Sequence, residues 1–135
     1  MNVIKGKIIK IQTHEGISLV KIAVTSEIIF TSVVIETPES NDYLTLENEI
    51  NLIFKETEVS ICKDLSPKIS IQNQIPCIIQ SIKKGVIFTQ IDLHFGNQKI
   101  ASLITTNACN QLDLKENDAV LAMIKSNEIS LLPND

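Results

Sequence analysis

The apolar residues of this chain come in short runs of isoleucine, valine and leucine that are separated by polar positions. Clear examples are Ile8–Ile11, Leu19–Val24 and Ile28–Ile35. β-Branched residues prevail in these runs, and they are stiff at χ1 and suit the pleated surface of a sheet. No window long enough for an ordinary helix has apolar residues at clean helical spacing. The pattern therefore predicts an all-β protein made of short strands.

Local signals between the strands predict turns. Gly96-Asn97 lies between two apolar segments and is typical of a two-residue hairpin. Two polar stretches, Pro38–Leu44 and Asn107–Leu112, are each long enough for one or two turns of helix. Thr37 and Asn107 are suitable capping residues for them. Two short helical turns are therefore predicted among the strands.

The sequence also repeats itself, and the clearest marker is the end of each half. An apolar strand runs into Lys55 in the first half and into Lys125 in the second, 70 positions later. The same tail follows each lysine, with Glu58-Val59 in one case and Glu128-Ile129 in the other. A repeat of this kind indicates two copies of one structural unit.

Each half contains roughly five short strands and one helical turn, which is typical of a small barrel of the OB type. The predicted fold is therefore all-β, with two tandem OB-like small β-barrels, a first domain at residues 1–63 and a second at residues 70–135. Lys63–Lys68 is the predicted linker. Because domains of this size bury little surface alone, they are expected to pack on each other and on other subunits. Each half also has a leucine pair that is expected in its core, namely Leu44 with Leu46 and Leu112 with Leu114.

Composition narrows the function classes. The 135 residues are 44% hydrophobic and 21% charged, which is too apolar for a disordered chain. The net charge is −4, only 4% of the residues are aromatic and there is no tryptophan, so the basic groove and stacking platforms of a nucleic-acid binder are lacking. No nucleophile–base pair, glycine-rich phosphate loop or metal-ligand cluster is apparent in the sequence, and no enzyme activity is expected.

Other features concern the cellular setting. The stretch Met1–Ile11 does not resemble a signal peptide, and no segment is long and apolar enough to cross a membrane. The three cysteines are odd in number and widely spaced, which fits reduced thiols better than disulfides or a zinc site. His14 and His94 have no partners at ligand spacing and are expected at the surface. A cytoplasmic protein with no membrane partner is therefore expected. The cysteines are Cys62, Cys77 and Cys109.

The second half of the chain resembles a Mop domain, the small module of molybdate-binding proteins. The matching pieces are Asn73-x-Ile75, Ile82-x-x-Gly85, Leu103-Ile104-Thr105-x-x-Ala108, Leu112-x-Leu114-Lys115-Glu116-x-Asp118 and Ala122-Met123-Ile124-Lys125-Ser126. The first half has similar pieces in the same order, namely Asn2-x-Ile4-Lys5-Gly6, Thr37-x-x-Ser40, Leu44-x-Leu46 and Ile53-Phe54-Lys55. With no helix-turn-helix segment and no P-loop, the chain resembles over nearly its whole length a molbindin, a free-standing tandem Mop (TOBE-like) protein.

The resemblance implies binding, storage or buffering of molybdate or tungstate at subunit or domain interfaces. It also implies a homo-oligomer, expected to be a trimer of double-domain chains. Molybdate is a tetrahedral dianion with four acceptor oxygens, so its site needs hydroxyl, backbone N–H and cationic donors and repels carboxylates. By the family pattern, the expected oxyanion-binding residues are Thr37, Ser40, Lys55, Ser70, Ile71, Gln72, Thr105, Ala108, Lys125 and Ser126.

Three positions depart from the family pattern. Glu56 follows the first lysine, where a small or hydroxyl residue is usual. Ala108 lacks the hydroxyl of its counterpart Ser40. Gln72 stands where the regulators of the family carry an arginine. The two halves are therefore expected to be unequal as binding sites.

The retained donors lead to one specific hypothesis and to plainer alternatives. The hypothesis is a composite site that combines Ser70, Lys125 and Ser126 of the second half with Thr37 and Ser40 of the first. Alternatively, the lysines are solvated side chains at strand ends, and the threonine and serine only cap a helical turn. The alternative function is a ligand-free Mop-type module that serves in assembly or regulation.

Overall fold

The computed structural model describes residues 1–134, which form ten strands, one α-helix and two 3-10 turns. The strands are β1 (Asn2–His14), β2 (Ile17–Ala23), β3 (Ile29–Val34), β4 (Glu49–Phe54), β5 (Ser60–Cys62), β6 (Asn73–Lys84), β7 (Phe88–Phe95), β8 (Gln98–Thr105), β9 (Ala119–Ile124) and β10 (Ser130–Pro133). Helix α1 spans Thr106–Leu112. The 3-10 turns are the Glu56 turn (Glu56–Glu58) and the Ser126 turn (Ser126–Glu128). The prediction of an all-β protein is confirmed.

The chain divides into two compact units, and unit 1 contains residues 1 and 3–54 together with the chain from Lys125 onwards. Its five strands form a sheet in the order β10-β4-β1-β2-β3. Alternate side chains of β1, such as Ile4 and Ile8, are buried in the core of the unit. The hairpin of β1 and β2 closes through Glu15-Gly16, both at positive φ. Phe30 and Phe54 are fully buried, with ring centroids 6.2 Å apart.

Unit 2 contains residue 2 and residues 55–124. Its sheet has the order β5-β9-β6-β7-β8. The two-residue hairpin predicted at Gly96-Asn97 is confirmed, because this pair joins β7 to β8 and Gly96 has a φ of 56°. Helix α1 follows β8 and ends at Asp113, which adopts the left-handed conformation. Unit 2 therefore has a short helix directly after its edge strand.

The end segment of each sequence repeat belongs to the unit built mainly from the other repeat. β5 follows β4 in the chain, yet it pairs with β9 of unit 2, where Ile61 lies opposite Ala122. β10 follows β9, yet it pairs with β4 of unit 1, where Leu131 lies opposite Leu52. The predicted domains at residues 1–63 and 70–135 follow the two repeats of the sequence. The compact units differ from these domains because each unit contains the end segment of the other repeat.

The predicted helical turns are found in altered form. Helix α1 begins one residue earlier than predicted, and its cap is Thr105 rather than Asn107, because the Thr105 hydroxyl accepts the backbone N–H of Ala108 at 3.1 Å. The stretch after Thr37 forms a turn instead of a helix. In that turn the N–H groups of Ser40 and Asn41 donate to the Thr37 carbonyl at 3.1 and 2.9 Å.

The prediction that both leucines of the first pair are core residues is wrong for one of them. Leu44 is 2% exposed, but Leu46 is 56% exposed. By the 70-residue period, Leu44 corresponds to the buried Leu114, whereas Leu46 corresponds to the exposed Glu116. The two leucine pairs were therefore aligned two positions out of register.

Candidate functional site

The Glu56 turn and the Ser126 turn have the same backbone but different side chains. Each begins after an exposed lysine in extended conformation, with φ and ψ of −77° and 151° at Lys55 and of −65° and 143° at Lys125. In each turn the N–H three positions after the lysine donates to the lysine carbonyl at 3.0 Å. The residue after the lysine, Glu56 or Ser126, is half-buried in both cases. The turns therefore offer two equivalent positions, one carrying a carboxylate and the other a hydroxyl.

A buried serine anchors each turn to a neighbouring strand. In unit 1 the Ser32 hydroxyl on β3 donates to the carbonyl of Ile129 at 2.7 Å. In unit 2 the Ser102 hydroxyl on β8 donates to the carbonyl of Val59 at 2.6 Å. Both serines have no exposed surface. Because β3 and β8 lead into Thr37 and Thr105, each anchor ties a lysine-bearing turn to the strand that carries a predicted threonine.

The threonine–serine pair of unit 1 forms a local network of hydroxyl groups. The side-chain oxygens of Thr37 and Ser40 are 3.0 Å apart, within hydrogen-bond distance. The Ser40 hydroxyl also lies 2.8 Å from the side-chain oxygen of Asn41 and can donate to it. Thr37 is half-buried and Ser40 is exposed. Since hydroxyl groups rotate, both can redirect their hydrogens towards an incoming acceptor.

The carboxylate of Glu36 lies next to this pair and already accepts hydrogen bonds from two side chains. The side-chain amide of Asn41 donates to it at 2.7 Å, and the hydroxyl of Tyr43 makes a short hydrogen bond to it. Burial of the phenol, the hydrogen bond to Glu36 and the charge of Glu36 together raise the pKa of Tyr43. The tyrosine therefore remains a protonated donor to Glu36 at physiological pH.

The corresponding turn of unit 2 has no hydroxyl three residues after its threonine. Thr105 uses its side-chain oxygen to cap α1 by accepting the Ala108 N–H. The next hydroxyl, on Thr106, lies 2.8 Å from the carbonyl of Gly85, to which it donates. Ala108 is half-buried and has only a methyl group three residues after Thr105, where Ser40 stands three residues after Thr37; by the 70-residue period Ser40 corresponds to Asn110. Both threonine hydroxyls of this turn are thus engaged in hydrogen bonds within unit 2.

The predicted segment Ser70–Gln72 precedes β6 in unit 2. Its middle residue, Ile71, accepts a 3.0 Å hydrogen bond on its carbonyl from the side chain of Gln74. Ser70 and Gln72 are exposed. The following Asn73 is buried and donates to the carbonyl of Ile124 at 3.0 Å, which holds the start of β6 against the end of β9. This asparagine stabilises the sheet, and its role had not been predicted.

The two units divide the predicted residues in a way that the sequence did not indicate. Linear order grouped Lys125 and Ser126 with Ser70. The structure assigns Lys125 and Ser126 to the unit of Thr37 and Ser40. Direct hydrogen bonds within the predicted set join Thr37 to Ser40 and Thr105 to Ala108. The remaining predicted residues, all in unit 2, are Lys55, Ser70, Ile71, Gln72, Thr105 and Ala108.

Two shallow surface cavities lie in unit 2, away from every predicted residue. The larger, of about 350 Å³, is lined in part by Ser81, Asp92 and Lys99. Burial raises the pKa of Asp92, but hydrogen bonds from Gln90 and Ser81 and the charge of Lys83 outweigh it and leave the pKa below its usual value. An ionised carboxylate in the wall makes this cavity unsuitable for a dianion.

Other kinds of site are not found in residues 1–134. These residues contain no group of three metal-ligating side chains that could hold an ion. Within the same range, no helix has the length and apolar character needed to span a bilayer. Cys62, Cys77 and Cys109 are free thiols, as expected.

Comparison with known proteins identifies the family. The TOBE domain family matches residues 69–131. Molybdenum-pterin-binding protein 1 of Clostridium pasteurianum is 35% identical to this chain over 65 residues, which are 47% of this chain and 96% of that protein. This chain belongs to the Mop family of molybdenum-pterin-binding proteins. The resemblance inferred from the repeated motifs is thereby confirmed.

Two further relatives show how far the likeness extends. The molybdenum transport protein ModE of Herbaspirillum seropedicae is 33% identical over 73 residues, which are 53% of this Mop chain and 27% of ModE. The chain thus spans about a quarter of the length of ModE. The solved structure of the cytoplasmic molybdate-binding protein ModG, with molybdate bound, matches 98% of this chain and 96% of ModG with a TM-score of 0.91 at 23% identity. At that identity the likeness establishes the fold, and it confirms the predicted tandem OB-like architecture.

Proposed function

We propose that this Mop protein binds molybdate or tungstate as an intact oxyanion and stores or buffers it in the cytoplasm without chemical turnover. Membership of the Mop family supports the ligand class, since the Clostridium relative is a molybdenum-pterin-binding protein. The cytoplasmic location is carried over from ModG, a cytoplasmic molybdate-binding protein.

The observation that carries the proposal is the composition of unit 1. Of the candidate donors, this unit contains the exposed lysine Lys125 and the hydroxyl groups of Ser126, Thr37 and Ser40. An ammonium group and hydroxyls are suitable partners for a tetrahedral dianion, because both donate hydrogen bonds and neither repels negative charge. The nearby carboxylate of Glu36 accepts hydrogen bonds from Asn41 and Tyr43 and is thereby kept in place.

A complete cage needs more donors than one turn can supply. Four oxygens with several lone pairs each call for many hydrogen bonds, and the two turns of unit 1 provide one cation and three hydroxyls. We therefore propose that copies of the chain associate, as a trimer, and that the site is completed at the contact between subunits. The further residues proposed for this role are Lys55, Ser70, Ile71, Gln72, Thr105 and Ala108.

Native mass spectrometry of the whole chain tests ligand class and assembly together. Spectra recorded without ligand and with molybdate, tungstate or sulfate report the number of subunits and of bound ions. The proposal expects a trimer that retains molybdate and tungstate and retains sulfate much less, because a preformed cage for the larger ion cannot contract freely. Equal retention of all three ions would contradict a specific site.

A charge substitution in the Ser126 turn tests the assigned donors. Ser126→Glu places a carboxylate where the proposed site has a hydroxyl, and it is expected to lower molybdate affinity by at least 100-fold in a calorimetric titration. Ser130→Glu is the matched control, because Ser130 is exposed and lies only four residues away in β10. An unchanged affinity in Ser126→Glu, with the oligomer intact, would refute the assignment.

A second candidate function rests on three departures from the family pattern in unit 2, at Glu56, Gln72 and Ala108. In that case the fold serves as a ligand-free module for assembly or regulation. An intact oligomer that binds none of the three oxyanions would favour this function over storage.

A further inference from the structure

Glu36 is held at three points beside the threonine–serine pair of unit 1. Its backbone carbonyl accepts a 2.6 Å hydrogen bond from the hydroxyl of Ser18, which has no exposed surface. One carboxylate oxygen accepts the hydroxyl of Tyr43, and the other accepts the side-chain amide of Asn41 at 2.7 Å. Because an ionised carboxylate only accepts hydrogen bonds, the amide nitrogen of Asn41 has to face it. The position of Glu36 therefore sets the orientation of the Asn41 amide.

The oriented amide sets the direction in which the neighbouring hydroxyl groups point. Asn41 presents its side-chain oxygen to Ser40, whose hydroxyl donates to it at 2.8 Å, while the Thr37 carbonyl lies farther from that hydroxyl at 3.2 Å. A serine hydroxyl has a single hydrogen. The 3.0 Å contact between the side-chain oxygens of Thr37 and Ser40 then uses the hydrogen of Thr37. The hydrogen bonds therefore run in one direction, from Thr37 through Ser40 and Asn41 to Glu36.

This direction makes the two hydroxyl groups unequal as donors to an anion. When the Thr37 hydrogen turns to an oxyanion, only the hydrogen bond between the two hydroxyls is lost. Ser40 Oγ still accepts the backbone N–H of Thr37 at 3.3 Å. When the Ser40 hydrogen turns instead, the shorter bond to Asn41 breaks and both hydroxyls are disconnected from Glu36. Thr37 is therefore the hydroxyl that can turn to an ion while the rest of the network stays intact.

We infer that Glu36 is a positioning residue of the oxyanion site, which acts through Asn41 and Ser40 to present the Thr37 hydroxyl to the ion. This inference rests on the proposed function and adds to it a residue that does not touch the ion. It also accounts for a carboxylate beside a site for dianions. Both oxygens of that carboxylate are occupied by donors, and the ordering of the hydroxyls outweighs the repulsion by its charge.

The sign of the effect on affinity separates positioning from repulsion. If the charge of Glu36 were all that mattered, its removal would raise the affinity for a dianion, because like charges repel. If Glu36 orders the donors, its removal lowers the affinity. Glu36→Leu is expected to lower the molybdate affinity of the full chain about tenfold in a calorimetric titration, which corresponds to roughly one well-oriented hydrogen bond.

Glu39→Leu is the matched control, because Glu39 is exposed and lies in the same turn. It removes the same charge and is expected to leave the molybdate affinity equal to that of the wild type or slightly higher. Circular dichroism and native mass spectrometry verify the fold and the assembly of each variant. Should Glu36→Leu not fold, Asn41→Ala provides the test, because it interrupts the same network and is also expected to lower the affinity about tenfold. An unchanged affinity in Asn41→Ala would overturn the inference.

The substitution of Glu36 in an Asn41→Ala background shows whether Glu36 acts through the amide. Without the amide, Glu36 no longer orders Ser40, and only the repulsion by its charge remains. Glu36→Leu is therefore expected to raise the molybdate affinity in that background, although it lowers the affinity in the wild type. A purely structural role of Glu36 would instead lower the affinity in both backgrounds.

The remaining outcomes distinguish the inference from the proposed function. If the wild type binds molybdate and Glu36→Leu changes its affinity in the same direction in both backgrounds, or does not change it at all, the inference is overturned and the proposed function stands. A wild-type protein that binds no molybdate would overturn both.

Discussion

The hydroxyl of Ser32 donates a 2.7 Å hydrogen bond to the carbonyl oxygen of Ile129, which lies 97 residues further along the chain. Its counterpart in unit 2 joins Ser102 to Val59 at 2.6 Å. Each bond fastens the exchanged end of one repeat to the strand that leads to a threonine of the candidate site. The position of a lysine-bearing turn relative to that strand therefore depends on one buried serine in each unit.

Removal of this anchor is expected to destabilise the protein. Ser32→Ala leaves the buried carbonyl of Ile129 without its partner, which costs about 1–3 kcal/mol. The measurement is the urea midpoint at one fixed protein concentration, since association shifts apparent stability. Thr57→Ala removes an exposed hydroxyl from the Glu56 turn and is the control. A Ser32→Ala midpoint equal to that of the control would show that the anchor does not contribute.

The aromatic pair of unit 1 provides a second stability test. Phe54 is 1% exposed and lies against Phe30, so Phe54→Ala leaves a cavity and is expected to cost about 3–5 kcal/mol. Phe88→Ala is the control, because Phe88 is 52% exposed and its removal leaves no enclosed cavity. Thermal and urea unfolding of both variants make the comparison. A larger loss in the control would contradict the assigned core.

The three cysteines are expected to react at different rates in the folded protein. Burial raises the pKa of the Cys77 thiol to about 12, although a backbone hydrogen bond involving Ala122 lowers it in part. At pH 8 only about one molecule in 10,000 then carries the reactive thiolate. Cys109 is buried, whereas Cys62 is half-buried in β5.

Iodoacetamide at pH 8 is therefore expected to label Cys62 first, as read by peptide mass spectrometry, and to label all three cysteines only after unfolding in urea. Cys62→Ser should abolish the early labelling. Labelling of native Cys77 before Cys62 would contradict the burial described for β6.

The lowered pKa of Asp92 predicts that the stability of the protein depends on pH. Its pKa is lower in the folded state than usual, so its ionised form stabilises the protein in full above the ordinary value of about 3.9. That contribution disappears as the pH falls through the lower folded value. Asp92→Asn is therefore expected to lower the urea midpoint by a constant amount between pH 6 and 8, and by less below about pH 4. Asp42→Asn changes the same charge at an exposed position and is the control. A difference that grows on acidification would contradict the described hydrogen bonds.

The sequence predicted the strands and the repeat well, because short runs of β-branched residues and a 70-residue period are local signals. The hairpin at Gly96-Asn97 is a further example, since a two-residue turn leaves few conformations open. The prediction of a helical turn at Pro38–Leu44 was wrong because local side-chain hydrogen bonds favour another conformation. Pro38–Leu44 is polar enough for a helix, but the side chains of Thr37, Ser40 and Asn41 satisfy one another and close a turn instead.

The exchange of end segments was not predictable from the sequence pattern. Val59-Ser60-Ile61 and Ile129-Ser130-Leu131 have the same order of apolar and polar residues. By this pattern either segment could pair as the edge strand of either sheet. Only the structure distinguishes them, by pairing β5 with β9 and β10 with β4. For this reason the sequence predicted candidate donors one residue at a time and did not predict their grouping into units.

The pairing of β10 with β4 also bears on how the chain reaches its native state during synthesis. Residues 3–54 emerge from the ribosome early, yet their sheet gains its edge strand only when residues 130–133 follow. Until then β4 presents unpaired backbone groups, which favour association with other nascent chains. Neither repeat expressed by itself contains the edge strand of its own unit. Each is therefore expected to fold incompletely and to pair its open sheet edge with a strand of another molecule.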